Sequence, residues 1–299
     1  MPKASPTTAT ARGDATWAAV PNEVRQEARK WFGANSGGDG SMPELWLRGA
    51  SLVVPSLSEL ARRGKRGAGV RRCPWNRFNA SGTAELKTLF DSYGSDKGFD
   101  THMLHHAYAH IIETLGGRRA PLRVLEVGLG TRSKGIVSAM AAWNKPAGGS
   151  VRSFRDFLPN ARVFGADVDE AALFNETRLR TAQVDQLVPS SLDALYRTFG
   201  SEPFDVVIDD GLHSPGANLN MLRFALSGAL KPGGWFVAED IGWSHTHVWS
   251  VVDRLLHAAD GAAVETCLFL GRRTGQGVYY LVRTPTNKSD RDKVSTHTR

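Results

Sequence analysis

The sequence predicts a doubly wound α/β fold: a seven-stranded, mostly parallel sheet that ends in an antiparallel hairpin, preceded by a partly helical, partly disordered N-terminal segment. Three observations predict it. From residue 122 onward, short apolar runs alternate with helical stretches, the signature of a parallel sheet covered on both faces by right-handed crossovers. The last two runs are separated only by GRRTGQ, which leaves no room for a crossover helix and makes that pair antiparallel. No stretch reaches the ~18 uninterrupted apolar residues that a membrane span needs.

The chain has 299 residues, 41% of them hydrophobic and 22% charged, enough for one large domain plus an appendage. We divide it into an N-terminal extension (1–82), an α/β domain (83–285) and a flexible tail (286–299). Residues 1–22 lack the compact apolar run of a signal peptide and read as a disordered lead-in. EVRQEARKWF (23–32) can form a short amphipathic helix, and GANSGGDGSM (33–42) is a linker by composition. Helices are expected over 84–92 and 100–115, the second ending at Gly116-Gly117. The strand runs are 122–127, 161–166, 179–184, 204–209, 234–239, 263–269 and 277–283. The helices between them are expected over 150–158, 170–176, 189–199, 215–229 and 247–259.

Charge and cysteine content narrow the class. The net charge is +7, and Arg62, Arg63, Lys65, Arg66, Arg71, Arg72 and Arg77 form a run without an intervening acid. Gly64, Gly67 and Gly69 within it argue against a recognition helix, so it reads first as a solvated basic loop and second as a contact for nucleic acid, a phosphorylated substrate or an acidic partner. Two cysteines, Cys73 and Cys267, are too few for a disulfide framework or a cysteine-rich zinc site. A cytoplasmic location is expected. An exposed N-terminal helix could pack on a second copy or close the chain's own active site, so a homo-oligomer is a possible state.

Ligands of open α/β sheets bind beyond the carboxyl ends of the strands. The first strand ends in Glu126, Gly128 and Gly130, where glycines let a ligand approach the backbone. A dinucleotide site would continue GxGxxG straight into a helix; here the third glycine position is Ser133, and a long irregular segment follows. A carboxylate at Glu126 would repel a pyrophosphate, yet it suits the ammonium-bearing, phosphate-free S-adenosyl-L-methionine. Asp167 closes the second strand, where an acid can accept ribose hydroxyls, and Asp185 is a further candidate on the adenosine side. Each could instead be a helix cap or loop residue. Ser150 reads first as an N-cap and second as a contact to the cofactor carboxylate.

The fourth and fifth runs end in Asp209-Asp210-Gly211-Leu212-His213 and Glu239-Asp240. As neighbours about 4.8 Å apart, these strands gather four carboxylates. Such a cluster needs positive charge among it, and a hard divalent ion, Mg2+ by default, is the economical choice. Asp209 reads as facing the cofactor or the structure, whereas Asp210, Glu239 and Asp240 read as metal ligands. His213, three residues after Asp210, is a candidate base for an alcohol whose pKa a bound metal has lowered.

LRVLEVGLGT, GGSVRSFRDFLPNARVFGADVD, DVVIDDGLH and LKPGGWFVAEDI, preceded by YGSDKG and His106-Ala-Tyr108, resemble the metal-dependent sugar O-methyltransferases of macrolide biosynthesis, the mycinamicin and tylosin type. The likeness spans roughly residues 93–245. It implies a class I methyltransferase fold, S-adenosyl-L-methionine near Glu126, Gly128 and Asp167, Mg2+ at Asp210, Glu239 and Asp240, and His213 as base. The expected substrate is a sugar hydroxyl of a glycosylated natural product or surface glycan. A catechol-type enzyme would share the metal, and an RNA ribose methyltransferase would use the basic run. Nucleic acid is the less favoured partner: base-amino methyltransferases grip a flipped base with a D/N-P-P motif, and the chain has no Pro-Pro pair.

Overall fold

In a computed structural model of the chain, seven strands form one sheet in the order β3-β2-β1-β4-β5-β7-β6. They are β1 (Arg123–Val127), β2 (Arg162–Asp167), β3 (Leu179–Gln183), β4 (Phe204–Asp209), β5 (Leu230–Ala238), β6 (Glu265–Leu270) and β7 (Val278–Arg283). Strands β1 to β5 run parallel, while β7 pairs antiparallel with both β5 and β6. The fold class is therefore the expected one. The structure describes residues 80–133, 146–242, 265–270 and 278–286, together with Cys73, Phe78, Ile136, Val248, Trp249, Val252, Asp253 and Leu256. The helix expected over 23–32, the linker 33–42, the basic run from Arg62 to Arg77 and residues 287–299 lie outside them. So do the interior of 131–149 and most of the helix expected over 247–259. Among the described residues no helix is long and apolar enough to cross a membrane.

Alternation along the strands sorts side chains between two apolar layers. Val124, Val206, Ile208, Trp235, Val237, Tyr279 and Leu281 face a layer that includes Phe90, Tyr108 and Phe154. These come from helices α1 (Thr83–Tyr93), α2 (Leu104–Thr114) and α3 (Gly149–Phe157). Leu125, Val207, Phe236, Tyr280 and Val282 face the opposite layer, covered by α4 (Pro189–Thr198) and α5 (Pro215–Phe224). Helix α5 starts where Ser214 Oγ accepts the Ala217 N–H and Pro215 pre-sets the first turn.

Four local expectations are corrected. The helix expected over 170–176 is only a short turn, Glu170–Ala172. Beyond it, Phe174 N–H donates to Thr181 Oγ1 and the Thr181 hydroxyl donates to the Phe174 carbonyl, so a side chain satisfies backbone that a helix would have used. Helix α5 stops at Phe224 and continues as a wider turn, Ala225–Ala229, broken by Gly228. Ser150 is not an N-cap, because Gly148 holds that position. Finally, Cys73 and Cys267, 194 residues apart, are joined in a disulfide. One bridge is no framework, but it removes the cysteine argument for a cytoplasmic location, since disulfides persist in oxidising compartments.

Candidate active site

The parallel register brings the ends of β1, β4 and β5 together: Val127 pairs with Asp209, and Asp209 with Ala238. The chain leaves β4 with the Asp210 N–H on the Val127 carbonyl and leaves β5 with the Glu239 N–H on the Asp209 carbonyl, at 2.8 and 2.9 Å. Gly128 is required at this junction. Its φ is +105°, and a Cβ there would overlap the Asp210 carbonyl. The glycine is thus explained by loop-on-loop packing, independently of any ligand.

Past the strand ends, alternation separates the acids. Glu239 continues the row of Trp235 and Val237 toward α2, where Tyr108 Oη donates to its Oε1 and Lys97 Nζ lies 2.8 Å from its Oε2. Asp240 falls on the other side. There Asp210, His213 and Asp240, all half-buried, each offer one ligand atom within 4.8 Å of the others. His213 Nε2 stands 3.9 Å from Asp210 Oδ1 and 4.0 Å from Asp240 Oδ2. Both His213 and Asp240 have left-handed backbone, φ 53° and 46°, as do Met103, Arg178 and Ser201 outside the cluster. Of the expected metal trio, then, Asp210 and Asp240 meet, Glu239 is drawn off, and His213 joins them. The two carboxylates suit a hard divalent ion with oxygen ligands, and the imidazole stands beside them where a base would.

Lys97 is the residue that sequence reasoning missed. It sits in a short turn, Asp96–Gly98, that Ser95 caps, and its side chain is 1% exposed. Its ammonium contacts Asp210 Oδ2 at 2.6 Å, Glu239 Oε2 at 2.8 Å and Glu126 Oε1 at 3.2 Å. Burial pulls that ammonium down, but Asp210, Glu239 and Glu126 outweigh it and hold it well above the usual lysine range. Burial also raises Glu239, with Asp210 adding to the effect and Lys97 opposing it. The argument that the acids require a metal for charge balance is therefore corrected: the chain supplies a cation of its own.

The remaining expected site residues lie on the β1–β4 side and are largely bound up in the protein. Glu126 is fully buried, accepts from Ser150 Oγ at 2.8 and 2.7 Å, and is pushed up to about 7 by burial against the pull of Lys97. Asp167 accepts the Leu129 and Asp169 N–H groups at 2.8 and 3.0 Å, fixing the loop that carries Gly128 and Gly130. Burial raises it, and those N–H groups oppose the shift. Asp185 Oδ1 accepts the Leu187 N–H at 2.8 Å. Asp209 accepts from Gln186 Nε2 at 2.5 Å and Asn218 Nδ2 at 2.7 Å; burial raises it, and both amides oppose that. Gln186 also accepts the Leu212 N–H at 2.9 Å, pinning the loop that carries His213. The acids along this edge suit a cationic nucleoside and would repel a phosphate.

No family model matches the chain. It is 36% identical over 124 residues to the mycinamicin VI 2''-O-methyltransferase of Micromonospora griseorubida, covering 42% of this chain and 28% of that one. It is 32% identical over 167 residues to the 8-demethyl-8-(2-methoxy-alpha-L-rhamnosyl)-tetracenomycin-C 3'-O-methyltransferase of Streptomyces olivaceus, 55% of this chain and 39% of that one. The demethylmacrocin O-methyltransferase of Streptomyces fradiae is 33% identical over 153 residues, 51% of this chain and 34% of its own. The chain thus matches well under half the length of these curated relatives. Among solved structures, the MycE methyltransferase of the mycinamycin biosynthetic pathway, in complex with Mg and SAH, superposes with a TM-score of 0.51 at 24% identity, over 68% of this chain and 55% of that one. That superposition establishes the fold: this is a class I methyltransferase sheet, as the motifs implied, and the relatives are of the kind those motifs resemble.

Proposed function

We propose that the chain is an S-adenosyl-L-methionine-dependent O-methyltransferase that methylates a sugar hydroxyl of a glycosylated natural product, with Mg2+ held at Asp210 and Asp240. The observation that carries this reading is the convergence of Asp210, His213 and Asp240 beside the Gly128 loop. The relatives' names add the substrate class: each of the three is an O-methyltransferase, and the name of the Streptomyces olivaceus enzyme carries a rhamnosyl group on its substrate.

The nucleoside is assigned to the edge formed by Glu126, Gly128, Gly130 and Asp167, with Ser150 and Asp209 bracing that edge from behind. When bound, the ion would lower the pKa of a coordinated hydroxyl and orient it. His213 receives the hydroxyl proton at Nε2, the nitrogen that faces both carboxylates, and their charge stabilises the imidazolium that forms. Oxygen gains the methyl carbon as its bond to sulfur breaks, and S-adenosylhomocysteine departs uncharged at sulfur. Asp210 and Asp240 hold the reacting end, while Glu239 backs them through Lys97 and Tyr108. A catechol-type or RNA ribose activity would use the same residues, and no described residue favours either.

Titration calorimetry with S-adenosyl-L-methionine and with NAD, each with and without Mg2+, tests the cofactor assignment. Binding of the first alone is expected, followed by methyl transfer to glycoside acceptors that chelator abolishes. Binding of NAD instead, or transfer undiminished in chelator, would remove the proposal.

A further inference from the structure

We infer that Lys97 is the built-in counter-ion of the acidic cluster beside the cation site. The inference rests on the functional reading only in taking Asp210 and Asp240 as that site. Lys97 Nζ meets one oxygen from each of three acids, Glu126 past the middle of β1, Asp210 after β4 and Glu239 after β5, at 3.2, 2.6 and 2.8 Å. An ammonium carries three N–H bonds and no acceptor, so three acids on three neighbouring strands match its full donor capacity.

The lysine is itself held in place. Its backbone N–H donates to Ser95 Oγ at 3.4 Å, and its carbonyl accepts from His105 Nδ1 at 3.3 Å. Two turns of chain thus anchor the residue before its side chain reaches the sheet. Other charged groups face the same space: Asp96, the residue before it, pairs with His102 at 3.6 Å.

Two consequences follow. First, the carboxylates are gathered by the chain and not by the ion, so the fold forms without metal. Second, Asp210 is divided between two roles. Its Oδ2 is taken by Lys97, which leaves Oδ1 turned toward His213 Nε2 at 3.9 Å, on the side of Asp240. Glu239, held from two directions by Lys97 and Tyr108, stands behind.

Thermal melts of the full chain test this without reading turnover, so failure here is distinct from failure of the methyl-transfer reading. Wild type, K97M and K97M/E239Q are each melted in EDTA and in excess Mg2+. Wild type is expected to melt cooperatively in EDTA. Removing one partner of a buried ion cluster leaves uncompensated charge, so K97M should melt about 10 °C lower or more. Mg2+ should raise K97M further than wild type, because the ion then supplies the missing charge. Adding E239Q, which removes one of the stranded acids, should recover at least half the loss.

The inference requires both rescues. Equal Mg2+ shifts in wild type and K97M, or a double variant no more stable than K97M, overturns it in favour of a packing role. Should K97M not fold at all, the double variant decides alone: a cooperative melt supports the inference, and an unfolded chain overturns it.

Discussion

At the ends of β1, β2 and β3, Glu126, Asp167 and Asp185 turn their oxygens onto the protein itself: a serine hydroxyl, a lysine, or backbone N–H groups two residues or one loop away. Beyond the ends of β4 and β5, Asp210 and Asp240 face His213 across gaps of 3.9 and 4.0 Å, on backbone that is left-handed at two of the three positions. The same residue type therefore does two kinds of work at one sheet edge. Where a carboxylate's hydrogen bonds are met by the chain, it shapes the loops that a ligand will touch. Where strained backbone holds carboxylates apart around an open space, they are available for an ion and a substrate.

The comparison is broken most severely at Asp240. Asp240→Ala is expected to lower turnover by more than about 10³-fold, the several kcal/mol that a metal supplies to the reacting oxygen. S-adenosyl-L-methionine affinity should stay within about threefold of wild type, since that residue lies on the open side. Near-normal turnover of the variant in chelator would show that the open group is not the chemical one. The next largest effect is at His213. His213→Ala should slow methyl transfer by about 10²–10⁴-fold, measured in a single turnover so that product release does not mask it. An unchanged single-turnover rate takes His213 out of proton transfer.

The sheet was legible because strands announce themselves locally: all seven runs were placed to within a few residues, and the antiparallel pair followed from the length of one loop. The adjacency of Asp210 and Glu239 was legible for the same reason, as the strand order of a doubly wound sheet implies it. What the sequence hid is long-range. Lys97 lies 113 and 142 residues from Asp210 and Glu239, within a YGSDKG segment that signalled only a resemblance. One local signal was present and unused. Glu239 and Asp240 are consecutive, so the alternation that sends Trp235 and Val237 to one face sends the two acids apart. Residues 170–176 failed differently: their apolar pattern suits a helix, and the Thr181 hydroxyl, from outside the segment, binds the Phe174 N–H and carbonyl instead.

The buried side can be sharpened through pH. His105, at the start of α2, is lowered to about 4, chiefly by burial, with the Lys97 carbonyl opposing and His106 adding to the shift. A carbonyl only accepts, so Nδ1 carries the proton in that bond. The folded pKa lies below the ordinary value of 6.5, so the unfolded chain binds the extra proton first. His105 thus contributes its full stability above about pH 6.5 and loses it as pH falls toward 4, by at most about 3 kcal/mol. His105→Asn keeps a neutral donor near Nδ1. Urea unfolding across that range should give a flatter pH dependence than wild type; parallel curves would mean that His105 takes up its proton alike in the folded and unfolded chain.

The smallest effect tests where the line between the two kinds of acid is drawn. Asp185 follows β3, on the side where sequence reasoning expected the adenosine. Its Oδ1 accepts the Leu187 N–H two residues on, and its own N–H donates to Ser191 Oγ at 2.9 Å. The carboxylate thereby closes its own turn ahead of α4, a local bond of the kind that costs about 0.5–1 kcal/mol to remove. Asp185→Ala is expected to lower the melting temperature by a few degrees and to leave S-adenosyl-L-methionine affinity within about threefold. Loss of a charge-assisted bond to a ribose would cost about 1.5–3 kcal/mol, which is tenfold or more in affinity. The two outcomes do not overlap: a tenfold loss in calorimetry, with melting unchanged, would move Asp185 from the acids that build the edge to those that hold the ligand.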